Sequence, residues 1–252
     1  MIDVHCHLEQ EDYASDRDEV IKKCKKELEA VITSCAHPKD FDLTMQLVEK
    51  YKGFIFATAG IHPEYVKEIS EKEKDEFLEL VKDNKKNIVG IGEIGLDYDW
   101  VKEQEFQQKQ REWFAQFINF AEGLKLPVVV HCRAAFEDAV KILEQEDAKQ
   151  VLMHMFGANQ LVNRVVENDW FVSLNTIILT SKKYKKVARD MPLERLLTET
   201  DAPWLGPNGE RNDSTSVKNV IEKIAEIKKI DAAELDRITT DNAKRFFKLN
   251  LD

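Results

Sequence analysis

Eight short apolar runs, rich in β-branched residues, alternate along this chain with segments of helical length. The runs are Ile2–Cys6, Ala30–Cys35, Phe54–Gly60, Ile88–Glu93, Pro127–His131, Gln150–His154, Trp170–Leu174 and Arg195–Asp201. Several are almost continuously apolar, the pattern of strands covered on both faces. Between them, positions such as Phe106, Trp113, Phe117, Phe120 and Leu124 recur with a helical period. Ser70-Glu71-Lys72-Glu73 reads as a capping box that opens a helix running on through Phe77, Leu78 and Val81. Strict alternation of strand and helix implies a parallel sheet. Eight such units in 252 residues predict an α/β fold, a closed (β/α)8 TIM barrel forming a single domain over residues 1–252. An open doubly wound sheet would call for a glycine-rich turn after the first strand. The residues there are His5-Cys6-His7-Leu8. The polar stretch Gly206–Ser216 reads as an active-site loop leading into a helix near Ser216.

Each of the six histidines, His5, His7, His37, His62, His131 and His154, falls at the C-terminal end of a predicted strand or just beyond it. In a barrel those ends make one face, and that face carries the active site. His5 and His7 are two apart on a strand, so both should face the barrel mouth while Val4 and Cys6 face the helices. Glu93, His131, His154 and Asp201 each close an apolar strand on the same face. Charged and imidazole groups closing apolar strands are costly unless paired or bound to metal. Each has a plainer reading when taken alone. His131 could be a hydrogen-bonded core residue, Glu93 a cap or ion pair, and Asp201, before Ala202-Pro203, a turn former. Together, four histidines, a glutamate and an aspartate could hold two divalent ions with one carboxylate bridging. That arrangement clamps the attacking and leaving oxygens in phosphoryl transfer.

Composition sets limits on this reading. The 43% hydrophobic content supplies a core, and the net charge of −10 excludes a broad basic surface for nucleic acid. It leaves room for a nuclease whose ions supply positive charge locally. No apolar run is long enough to span a bilayer, and no export signal opens the chain. The expectation is a cytoplasmic protein with no membrane association and no obligate protein partner. Cys6, Cys24, Cys35 and Cys132, irregularly spaced, are expected to be reduced thiols.

The motifs Asp3-Val4-His5-Cys6-His7-Leu8, Gly60-Ile61-His62-Pro63, Gly92-Glu93-Ile94-Gly95-Leu96-Asp97-Tyr98, Leu126-Pro127-Val128-Val129-Val130-His131-Cys132-Arg133 and Glu199-Thr200-Asp201-Ala202-Pro203-Trp204-Leu205 occur in that order. In this the chain resembles the TatD family of metal-dependent deoxyribonucleases, within the amidohydrolase-like barrel enzymes. The resemblance implies that His5, His7 and Asp201 hold one ion, that His131 and His154 hold a second, and that Glu93 bridges them. It places His62 and Arg133 near the substrate phosphate. The implied chemistry is hydrolysis of phosphodiester bonds in DNA, with RNA as a second candidate substrate, by water activated on two divalent ions (magnesium, manganese or zinc), with Asp201 taking the water's proton. The chain departs from the family pattern at Glu9, Ala134, the His154-Met155-Phe156-Gly157-Ala158 segment and Arg211-Asn212-Asp213-Ser214. These departures bear on substrate preference, since the six presumed ligands are intact. A second reading keeps the metals and changes the bond to an amide, ester or lactone of a small or aminoacyl substrate. A non-enzymatic metal-binding scaffold fits less well, because a structural site needs only four ligands and no open position.

Two further features have no assigned role in that chemistry. Tyr98, Trp100 and Trp204 follow strands and could stack on bases or simply pack loops. Lys182, Lys183, Lys185 and Lys186 form the densest basic cluster, which reads best as a solvated helix face.

Overall fold

Residues 1–251 are described by a computed structural model, in which all eight predicted strands form. They are β1 (Ile2–Cys6), β2 (Ala30–Cys35), β3 (Ile55–Ala59), β4 (Ile88–Asp97), β5 (Val128–Arg133), β6 (Val151–Met153), β7 (Phe171–Leu174) and β8 (Leu196–Thr198). The strands lie parallel and pair in sequence order from β1 to β8. The β8–β1 seam is drawn together just past β8, where Asp201 N donates to His5 O (2.9 Å) and His7 N donates to Ala202 O (2.7 Å). The helices are α1 (Arg17–Cys24), α2 (Phe41–Lys50), α3 (Glu71–Asp83), α4 (Gln104–Leu124), α5 (Phe136–Gln145), α6 (Val162–Glu167), α7 (Lys182–Asp190), α8 (Val217–Lys228) and α9 (Ala232–Phe247). The fold is therefore the expected (β/α)8 TIM barrel. Among the described residues no helix is long and apolar enough to cross a membrane.

Local chemistry explains several boundaries. At α3, Ser70 Oγ accepts from Glu73 N while the Glu73 carboxylate accepts from Ser70 N, the reciprocal pairing predicted from the capping box. At α9, Asp231 caps the first turn by accepting from Ala233 N and Glu234 N.

Two apolar layers sandwich the strands. One interior cluster joins Ile2, Val4, Ala30, Ile32, Val129, Leu152, Phe171 and Leu197, with Phe56 and Val89 packed against it. Every strand contributes to it. Among the described residues the only helix that joins is α9, through Ala243, Phe246 and Phe247. This is the filled lumen expected of a small barrel. The alternate strand residues, such as Ile91, Val130 and Val172, pack outward against the helices.

Val4 was expected to face the helices and instead belongs to the lumen. The register explains this: β1 advances three residues, Asp3 to Cys6, while β2 advances two, Val31 to Thr33. The extra residue of this bulge resets the in–out alternation. Cys6 does face the helices, among Leu8, Ile21 and Val31. All four cysteines are free and buried.

The same device reshapes β4. Three residues from Ile91 to Ile94 oppose two from Val128 to Val130. The strand therefore does not end at Glu93 but turns through a bulge there and continues to Asp97. Glycine permits the turn. Gly95 has φ +141°, and a Cβ there would run into the His131 carbonyl. At Gly92 a Cβ would stand 2.5 Å from Val129 O. β8 ends at Thr198, so Glu199 and Asp201 sit in the loop beyond it.

Candidate metal centre

The strand ends bring the predicted residues to one buried cluster at the barrel mouth. His5 Nε2 and His7 Nε2 are 3.2 Å apart. His5 Nε2 lies 3.4 Å from Glu93 Oε2 and 3.7 Å from Asp201 Oδ1. His7 Nε2 lies 3.7 Å from Glu93 Oε2 and 3.4 Å from Asp201 Oδ1. Four donors at about 2.0–2.1 Å around one zinc-sized ion in a tetrahedron stand roughly 3.3 Å from one another. The five separations bracket that value, and the donor atoms of His5, His7 and Glu93 all lie within 4.8 Å of one another, a set that could hold a cation with Asp201 facing its two imidazoles. Without a cation or protons, two imidazole nitrogens and two carboxylate oxygens would face each other at these distances.

Glu93 has a second side. Its Oε1 lies 2.7 Å from His131 Nδ1, 3.2 Å from His154 Nε2 and 3.6 Å from His62 Nε2. One carboxylate thus faces two groups of imidazoles through two different oxygens. The bulge in β4 makes this possible by turning Glu93 into the mouth.

The partner of each ring's second nitrogen assigns its tautomer. His7 Nδ1 is 3.0 Å from the Ser34 carbonyl, so it donates there and leaves Nε2 with a free lone pair. Glu9, whose Oε1 lies 3.3 Å from His7 Nδ1, also accepts from Thr33 Oγ1. His154 Nδ1 donates to Glu199 Oε1 (3.2 Å), leaving Nε2 free. His131 has a carboxylate at each nitrogen, Asp97 Oδ2 2.9 Å from Nε2 and Glu93 Oε1 2.7 Å from Nδ1, so Nδ1 opens to a cation only when it gives up its proton. Such carboxylate and carbonyl partners are the usual orienters of metal-binding imidazoles. His62 is the opposite case: its Nδ1 accepts from Glu64 N (3.2 Å), so its proton sits on Nε2, pointing into the centre. His62 is therefore built to donate a hydrogen bond there.

Without a cation, the charges in the centre shift its groups in opposite directions, and His7 and His154 hold protons that a cation would displace. Burial would push the Glu93 carboxyl up, but the surrounding His154, His62 and His5 hold it well below its ordinary range. Burial also opposes ionisation of Asp201, and its hydrogen bond with His7 overcomes this. His5 is lowered by burial and by His154, and burial beside His131 pushes His62 down to about 3. His7 is raised well above its ordinary value against the effect of burial, by Asp201 and Glu9. Glu199 and Glu93 do the same for His154.

Sequence reasoning missed Asp97 and Glu199 as orienters. Both stand inside quoted motifs, and the signal available was an acidic residue near a strand end on the same face. Arg133 Nε lies 3.7 Å from Asp97 Oδ2, and its side chain is partly open to the cleft. His37 is set apart, with Nδ1 accepting from Lys39 N and Nε2 beside Glu68. The loop expected over the site, Gly206–Ser216, contributes none of the described cleft-lining residues. It is pulled toward the α1 side instead: Tyr13 Oη donates to Asn212 O, and Arg211 pairs with Asp16. The cleft itself encloses about 350 Å³ above the histidines.

Comparison with known proteins identifies the family. The family model described as TatD related DNase matches residues 2–248. An uncharacterized metal-dependent hydrolase, YabD, of Bacillus subtilis is 37% identical, covering 99% of this chain and 100% of its own. The deoxyribonuclease TATDN3 of Homo sapiens is 33% identical, covering 98% and 94%. Among solved structures, the TatD homologue YJJV of Escherichia coli superimposes with a TM-score of 0.90 at 23% identity, covering 99% and 98%. With its family model spanning nearly the whole sequence and its histidine–carboxylate centre in place, the chain belongs to the TatD family of metal-dependent hydrolases.

Proposed function

We propose that this chain hydrolyses phosphodiester bonds of DNA, using two divalent ions that share Glu93. The observation that carries this reading is the division of Glu93, with Oε2 facing His5 and His7 and Oε1 facing His131 and His154. On this reading His5, His7 and Asp201 would hold one ion, and His131 and His154 the other. A site so rich in imidazole suits manganese or zinc at least as well as magnesium. When bound, such ions supply Lewis acidity that lowers the pKa of water and offsets phosphate charge. The name of the human relative supports DNA as substrate. The chain's own excess of acid is consistent with that, because positive charge would be local to the centre.

The protein groups then have distinct tasks. Asp201, held ionised by His7, accepts a proton from the attacking water. His62 donates its Nε2–H, and Arg133 its guanidinium, to the non-bridging oxygens as charge grows on them. Asp97 and Glu199 keep His131 and His154 in their working tautomers.

The test is cleavage of end-labelled single-stranded DNA, duplex DNA and single-stranded RNA with magnesium, manganese, zinc or chelator. A His5→Ala/His131→Ala double variant is the control. Metal-dependent cleavage of DNA, lost in the double variant, is the expected result. No cleavage with any ion, while metal still binds stoichiometrically, would shift the reading to a small ester, amide or lactone.

A further inference from the structure

We propose that Trp100 and Trp204 are two stacking platforms that hold the bases on either side of the phosphate presented to the centre. The inference rests on the phosphodiester reading above and assigns part of its substrate recognition.

Trp113 and Trp170 are buried, whereas Trp100 is 61% exposed and Trp204 45% exposed. An indole left open on a cleft wall offers a flat apolar face to whatever enters the cleft. Both line the cleft. Trp100 follows β4 and Trp204 follows β8, four strands apart in an eight-stranded barrel paired in sequence order. They therefore stand on opposite sides of the mouth with the histidine–carboxylate cluster between them. Each adjoins a group already placed in the centre. The Trp204 ring centroid is 4.9 Å from that of His7, and Arg133 Cζ is 5.8 Å from the Trp100 ring centroid.

Both indoles are on anchored backbone. Trp100 N donates to Asp97 Oδ1 (2.8 Å), the carboxylate whose other oxygen holds His131. Trp204 N donates to Asp201 O (3.1 Å), and the next residue is tied down where its carbonyl accepts from Thr176 Oγ1. The platforms are thus fixed by the same residues that fix the ligands. A flat apolar face on each side of a phosphate-binding centre matches an unpaired nucleobase on each side of a phosphodiester. Stacking of this kind tolerates any base, because every base has a π-face.

The experiment uses the manganese-loaded full chain and two oligothymidylates. One is intact. The other carries abasic tetrahydrofuran nucleotides at the two positions flanking the cleaved bond. The wild type is expected to favour the intact strand by about tenfold or more in kcat/KM, mostly through KM. Trp100→Ala and Trp204→Ala should each shrink that preference, and the Phe variants should restore most of it. Iodide quenching gives a second readout, since Trp113 and Trp170 are shielded. Intact oligothymidylate should protect indole emission from iodide, and the abasic strand should not. Equal treatment of both strands by the wild type, or a preference that survives both Ala variants, would overturn the proposal. If neither strand is cleaved, the phosphodiester reading fails. Quenching then decides the stacking separately, with equal protection by both strands counting against it.

Discussion

A histidine has two ring nitrogens, and in this centre the partner of one decides the use of the other. His154 gives its Nδ1–H to Glu199, which also accepts from Ser173 Oγ (2.5 Å) and Met155 N (2.9 Å). Glu199→Gln keeps the volume but removes the charge that fixes this tautomer. If His154 is a ligand as proposed, this substitution should weaken metal binding about 10- to 100-fold, read by calorimetric titration with zinc or manganese. Unchanged affinity would mean that Glu199 merely fills space. Asp201 has a different task, so Asp201→Asn separates holding from chemistry. An amide oxygen can still face the cation but accepts no proton. kcat on DNA should fall about 10²- to 10⁴-fold while metal content, measured by atomic absorption, stays close to that of the wild type. Near-normal turnover would remove Asp201 from the proton step. At this scale the residues that gather in the mouth were legible in the sequence, and their hydrogen-bond partners were not. His5, His7, Glu93, His131, His154 and Asp201 each close or follow an apolar run, where a polar residue needs a reason. Glu199 and Asp97 acquire their meaning only from a ring brought to them by another strand.

The elements were legible for a simple reason: strands covered on both faces must be apolar throughout, and a barrel needs eight of them. What was not legible is how two of them bend. The bulges in β1 and β4 arise from pairing with β2 and β5, so nothing local announces where the extra residue goes. Val4 consequently faces the lumen, and β4 runs four residues past Glu93 to deliver Asp97. Glycine content hints at the second bend, and its cost can be measured. At Gly95 the backbone has φ +141° and a Cβ would collide with the His131 carbonyl. Gly95→Ala should cost about 2–4 kcal/mol in urea unfolding, because the colliding atom is main chain and cannot swing away. Gly123, inside α4, meets nothing within 4 Å. Gly123→Ala should instead stabilise by about 0.5–1 kcal/mol through helix propensity alone. If both substitutions had the same small effect, the β4 bulge would be more yielding than its packing implies.

Across the whole molecule, the barrel gathers a cluster of ionisable groups in one buried mouth, and their charges help set when it is stable. Take the metal-free protein first. Glu93 and Asp201 are depressed below 4.5 and 3.8, so the stability they add is present above those values and is lost as pH falls through their folded values. His7 and His154 are raised above 6.5, so their contribution is present below 6.5 and is lost as pH rises through their folded values. These four groups together favour the metal-free protein between roughly pH 5 and 6.5. A cation reverses the histidine part, because it takes the neutral imidazole lone pairs that Ser34 O and Glu199 leave free. Binding must then release the protons of His7 and His154, and each released proton strengthens apparent binding by up to about 1.4 kcal/mol per pH unit. At an ion concentration 100 times Kd the stabilisation is about 2.7 kcal/mol, or roughly 5–10 °C in Tm for a chain of this length. Calorimetric scans with manganese or with chelator at pH 6, 7 and 8 should therefore diverge. The chelated protein should lose Tm as pH rises, and the manganese-induced increase should grow over the same range. A metal-induced increase that stays constant from pH 6 to 8 would mean that no imidazole proton is displaced, and His7 and His154 would lose their place as ligands.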